Sequence, residues 1–152
     1  MPPIPNTSYS RDERALAYFS KGKSCIEAAE WMFKEKPAFP VEIFLVQGIE
    51  LLFSSFLLKL DPDSSILDGK SLHRLYGHKY SEIYKRCKEI DISLRIFTDP
   101  ILENYINFLA NNFFEDSIVA RYPDSDRLDK MPEMIFAVPK VLIERLRKDV
   151  FK

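Results

Sequence analysis

One run of this chain leaves little freedom in how the rest can fold. VEIFLVQGIELLFSSFLLKL, from Val41 to Leu60, is apolar on nearly every side. A helix with no polar face has nothing to offer water, so other elements must surround it. An apolar stretch of this length is also a candidate membrane span. Glu42, Gln47, Glu50 and Lys59 interrupt it, however, and ionisable groups are costly in lipid. The sequence therefore favours a buried core helix and no membrane partner.

The flanking segments supply helices to cover it. Between about Ser10 and Lys36, Ala15, Tyr18, Gly22, Cys25, Ala29 and Met32 recur in steps of three and four. Phe19, Ile26 and Phe33 widen the stripe, which is the pattern of a helix burying one face. Gly22 costs a helix interior about 1 kcal/mol relative to Ala, so its presence implies close packing there. Pro37 and Pro40 end this element and open the next, and Asp61-Pro62-Asp63 stops the apolar helix.

Asp61 to Gly77 reads as a long loop anchored by Leu67, Leu72 and Leu75. A third helix is expected from about His78 to Glu89, with Tyr80, Ile83, Tyr84, Cys87 and Ile90 at helical spacing. Asp99-Pro100 pairs an N-cap with a first-turn proline and starts a fourth. Its apolar residues are Ile101, Leu102, Tyr105, Ile106, Phe108, Leu109 and Phe113. A last helix runs from about Pro132 or Pro139 to Val150, with Val141, Leu142, Leu146 and Val150 inward. Only Asp116 to Arg121 resembles an extended piece. The expected fold is all-α: a four-helix up-and-down antiparallel bundle with an additional C-terminal helix. Residues 1–10 form an extended arm and residues 11–152 one domain.

Charge and composition narrow the function classes. The 22 basic and 23 acidic residues give a net charge of −1, so no chain-wide pull on nucleic acid exists. The most basic stretch, Lys140 to Lys152, suits the solvated end of a helix better than an RNA contact. Four glycines in all argue against a phosphate-cradling loop. Cys25 and Cys87 lie on apolar stripes, and no CxxC or HxxxH spacing exists, so neither a metal site nor a cofactor is expected. The first residues have no apolar core resembling a signal peptide, which makes a reduced, cytoplasmic setting the expectation. The 12 Phe and 7 Tyr supply apolar surface for a core or an oligomer interface.

Three short motifs stand in order: FLVQGIELLFSSFLL, then LYGHKYSEIYKRC, then ARYPDSD. This order resembles small prokaryotic HEPN-type domains (higher eukaryote and prokaryote nucleotide-binding). The matching positions are Glu50, Leu51, Gly77, His78, Arg121, Tyr122 and Pro123, and the likeness spans most of residues 11 to 125. Ser54 or Ser55 stands where the family usually has lysine, Lys79-Tyr80 replaces its usual Asp-Leu, and nothing after Arg127 has a counterpart. The resemblance implies a bundle that often dimerises, in a setting of RNA cleavage, nucleotidyltransferase partnership or phage defence. Catalytic members carry an Arg followed, after about four to six residues, by a His, a cation and a base for RNA cleavage. In this chain no Arg stands five to seven residues before His73 or His78; Arg74 precedes His78 by four.

The candidate site residues each have a plainer role. Arg74 and His78 are the right types for cleavage, but His78 also suits a helix start or a bond to a carbonyl. His73 is too far from His78 to share a helical face. Glu50, in the most apolar helix, must be paired or shifted, with Arg121, Lys79 or His78 as partners. Arg121 suits a phosphate or the end of a helix, and Tyr122 follows it. The favoured reading is a non-catalytic HEPN-like binding module, a homodimer, with RNA, a nucleotide or a nucleotidyltransferase-type protein as partner. A divergent metal-independent ribonuclease and a purely structural oligomerisation domain stay open beside it.

Overall fold

The computed structural model describes residues 9–35, 41–77, 79–112 and 134–152. Among these, every regular element is a helix: α1 (Arg11–Glu35), α2 (Val41–Leu60), α3 (Gly69–Tyr76), α4 (Tyr80–Ile90), α5 (Pro100–Asn112) and α6 (Met134–Asp149). Pro37, Pro40, Phe113 and the Asp116–Arg121 piece lie outside the described residues.

The apolar run behaves as its sequence requires. All seven residues from Leu52 to Leu58 are buried, so neighbours surround this part of α2 on every side. Its length and composition would also suit a membrane span, yet most of it is covered by its own chain. Phe53 and Phe56 meet Phe97, and Phe53 also stacks on Tyr84, with ring centroids 4.5–5.6 Å apart. Full burial of each such side chain is worth about 1.5–3 kcal/mol.

Small residues bring α1 against α2. A β-carbon on Gly22 would stand 3.1 Å from the Gly48 carbonyl oxygen, and one on Gly48 would stand 2.7 Å from Ile26. At the other end of the pair, Arg11 of α1 donates to the carbonyls of Leu57, Leu58, Asp61 and Asp63. The pair is thus antiparallel, and one guanidinium adds donors at the end of α2, where the last turn of a helix runs short of helical donors. The Leu57 and Asp63 carbonyls also accept the Asp61 and Ile66 N–H groups.

α4 closes the same end. Asp61, whose side chain is fully buried, accepts from Nε and Nη2 of Arg86, both at 2.8 Å. This two-pronged geometry is the strong form of an Arg–carboxylate pair, and it pushes the Arg86 pKa further up. Asp61 also accepts the Asp63 N–H at 2.9 Å, which turns the chain out of α2.

α6 lies across α1 and α5. Phe33 meets Phe136 and Phe19 stacks on Phe151, so α6 runs antiparallel to α1. Pro139 sits inside α6, where its missing N–H leaves the Ile135 carbonyl without its helical donor. The buried Tyr105 hydroxyl of α5 donates to that carbonyl at 2.7 Å. The proline is tolerated because its neighbour replaces the lost bond.

Several expectations need correction. Asp61–Gly77 is not simply a loop: it contains α3, started by a capping box in which Asp68 and Ser71 bond each other's backbone N–H. Of the expected anchors only Leu72 is buried; Leu67 and Leu75 are about half exposed, and Ile66 does the anchoring. α4 starts at Tyr80, not His78, because Gly77 ends α3 with a positive φ of 59° and separates the two helices. Val141, expected inward, and Ile101, counted in the apolar face of the fourth helix, are exposed, since α6 and α5 turn other residues to the core. The Asp99 cap stands as read, its carboxylate accepting the Ile101 N–H at 2.9 Å.

Candidate functional site

A cleft of about 160 Å3 opens where α3 crosses α1 and α2. From α2 come Gln47, Glu50, Leu51 and Ser54, from α1 Tyr18, and from α3 Gly69, Leu72 and His73; Gly77 and Ile83 complete it. The α2 residues recur at helical spacing, so one strip of that helix faces the opening. It is the strip where the apolar run is interrupted by polar residues. Glu50 is half-buried there and is engaged by other groups.

α3 decides which cation-bearing residues reach the cleft. Gly69, Leu72 and His73 share one face, and they line it. Lys70 and Arg74 stand one turn apart on another face, exposed and outside the lining. The Asp68 carboxyl is held below its ordinary range first by the Ser71 N–H bond, with smaller contributions from Arg14 and then Arg74. A β-carbon on Gly69 would stand 1.7 Å from the Tyr18 hydroxyl, so a larger residue there would force the phenol to shift. Burial pushes the Tyr18 phenol up, and the carboxylates of Asp68 and Glu50 push it further. The phenol in the cleft wall is therefore kept in its O–H form.

The predicted site residues divide accordingly. Glu50 lines the cleft; Arg74 does not. Lys79 occupies the N-cap position of α4, exposed, and its side chain makes no capping bond. His78, Arg121 and Tyr122 lie outside the described residues. Tyr18, Gln47, Ser54 and His73 were missed as cleft residues. The signal for them was Asp68-Gly-Lys-Ser71, a capping pattern that makes 69–76 helical and places His73 one turn beyond Gly69.

Other candidate surfaces are plainer. Three of the five cations between Lys140 and Lys152 are already engaged: Lys140 with Glu30, Arg145 with Asp99 and Arg147 with Glu144. Cys87 is fully buried, its thiol directed at the Phe53 carbonyl and pushed well up by burial. Cys25 is half-buried with its thiol pushed up by the same cause, so neither cysteine is activated. Among the described residues no three His, Cys, Asp or Glu gather as metal ligands. A second cavity, about 250 Å3 and mostly apolar, lies between α5 and α6.

Compared with protein-family models, curated proteins and solved structures, the chain matches none.

Proposed function

We propose that this chain is a non-catalytic, HEPN-like helical-bundle module that acts by binding. In this reading α1, α2, α4 and α5 form an up-and-down four-helix core, α6 is the additional C-terminal helix, and the cleft beside α3 is the binding site. The setting is prokaryotic stress response or defence, in the cytoplasm.

The observation that carries the reading is the division of α3 into two faces. Metal-free RNA cleavage needs a base and a cation converging on one phosphate. Arg74 is not among the described residues that line the cleft with His73 and Glu50, so the described lining offers recognition groups without an arginine or lysine to hold a phosphate. In this reading the dimer contact is the apolar surface on which the exposed Ile101 and Val141 line one cavity between α5 and α6.

The test is incubation of total RNA without divalent metal, using wild type, Arg74→Ala and His78→Ala, each checked for folding and for mass by sedimentation. Intact RNA in every sample and a dimeric mass agree with the reading. Cleavage by wild type that both folded variants lose would replace it with a ribonuclease.

A further inference from the structure

The cavity between α5 and α6 has an apolar side chain standing beside it. Its walls come from Ile101 and Leu102 of α5, from Val138, Val141 and Leu142 of α6, and from Ile96 in the loop that joins α4 to α5. An apolar cavity of about 150 Å3 takes benzene, so the 250 Å3 here accommodates a branched aliphatic side chain. Ile92, in the same loop, is 84% exposed, the most of any large apolar residue among those described. Two residues on, the Leu94 carbonyl accepts from Arg145 at 3.0 Å, and Arg145 lines the cavity. Ile92 thus stands beside the cavity of its own chain without entering it.

A lone exposed isoleucine is ordinary; the loop that carries this one is not. Across it, Oδ2 of Asp91 accepts the Phe97 N–H at 2.6 Å, and the Tyr84 hydroxyl donates to the Phe97 carbonyl at 3.0 Å. Ile96 and Phe97 are buried. Arg95 holds a φ of 56°, a left-handed conformation that a non-glycine residue keeps only where its surroundings enforce it. The loop therefore presents Ile92 in one arrangement, and a side chain already held in place loses little freedom on contact.

The charges around the cavity select its occupant. At the mouth Asp99 lies 3.6 Å from Arg145, and past Val141 the Glu144 carboxylate accepts from Arg147 at 2.8 Å. A partner surface of one sign would meet a like charge in either pair. A second copy brings the same mixed patch, which a two-fold rotation can match sign to opposite sign. At a net charge of −1 per chain, two copies hardly repel. A two-fold contact also needs the inserted side chain and the receiving cavity on one face. Ile92 is four residues from Ile96, a span of at most about 14 Å. We propose that the α5–α6 cavity receives Ile92 of a second copy, each copy supplying one inserted side chain and one cavity. This rests on the reading of that surface as the dimer contact.

The test combines sedimentation with cross-linking of the full-length chain. Ile92→Asp, at an exposed position, should leave the helical circular dichroism unchanged and weaken the dimer at least tenfold. For cross-linking, Cys25→Ser leaves the buried Cys87 as the one native thiol. Ile92→Cys and Val141→Cys are made separately in that background, one chain is 15N-labelled, and the two are mixed and oxidised. Disulfides joining unlike chains, recognised by mass, should outnumber those between two Ile92→Cys chains. If Cys25→Ser does not fold, the sedimentation of Ile92→Asp in the native background decides alone. A wild-type dimer whose affinity Ile92→Asp leaves unchanged would overturn the insertion and leave the dimer standing. So would a predominance of disulfides between two Ile92→Cys chains, which puts the two isoleucines together at the two-fold axis. A wild type that sediments as a monomer at every concentration overturns both the insertion and the dimer.

Discussion

The two halves of α2 treat charge in opposite ways. At its C-terminal end, Arg11 donates to four carbonyls and Arg86 holds both oxygens of the fully buried Asp61. At mid-helix, Gln47, Glu50 and Ser54 face an open cleft. The first arrangement uses nearly all of its hydrogen-bonding capacity internally, whereas the second keeps Gln47 and Glu50 within reach of solvent. One helix thus carries both a structural clamp and a candidate site, and the two are told apart by where the polar atoms are directed.

Breaking the clamp should have the largest effect. Arg86→Ala leaves the Asp61 carboxylate buried without its cation, a kind of loss that costs about 3 kcal/mol. Chemical denaturation should show that drop, with the α3 cleft intact in the folded fraction. A change below about 1 kcal/mol would mean that Asp61 is rehydrated in the variant and that the clamp is weak.

A second closed junction tests the same idea at smaller scale. Tyr105→Phe should cost about 1–2 kcal/mol, because it strands the Ile135 carbonyl that Pro139 already deprives of a donor. Pro139→Ala supplies an N–H to that carbonyl, so in the double variant the cost of losing the hydroxyl should shrink. A double-mutant cycle measures this coupling. Purely additive effects would show that the hydroxyl does not stand in for the missing helical bond.

The contrast also explains what was legible in the sequence. α1, α2 and α5 were readable because hydrophobic periodicity and the Asp99-Pro100 cap are local signals. The clamp was not, since Arg11 and Asp61 are 50 residues apart and nothing local marks an arginine as a carbonyl cap. Glu50 was visible as a polar interruption, but its neighbours in space depended on α3. Asp61–Gly77 has few apolar residues and so looked like a loop; the Asp68–Ser71 capping box, not periodicity, makes 69–76 helical. Arg74 was grouped with the site by its place in the chain, and helix geometry turns it away.

That capping box offers a smaller effect with a pH signature. Asp68→Ala should cost about 1 kcal/mol at neutral pH. The Asp68 carboxyl is held below its ordinary range, chiefly by the Ser71 N–H, so its ionised form stabilises the fold above the unfolded value of about 3.9. As pH falls through the lower folded value, that contribution disappears. The gap in stability between wild type and Asp68→Ala should therefore narrow below about pH 4. A gap constant between pH 7 and pH 3 would mean that the ionised carboxylate contributes nothing beyond the neutral cap.

The smallest expected effect, at Glu50, is the most direct test of the comparison when the same chemical change is made at Asp61, just beyond the end of α2. Asp61→Asn and Glu50→Gln each replace a carboxylate by an amide of nearly the same shape. At Asp61 the change weakens a buried, two-pronged pair with Arg86 and should cost about 2 kcal/mol. At Glu50 solvent reaches the group, and the change should cost about 0.5 kcal/mol or less. Denaturant titrations of the two variants in the same buffer give the ratio. A Glu50→Gln cost as large as that of Asp61→Asn would make Glu50 a second structural clamp, since a carboxylate that the fold needs so heavily has little capacity left for a ligand.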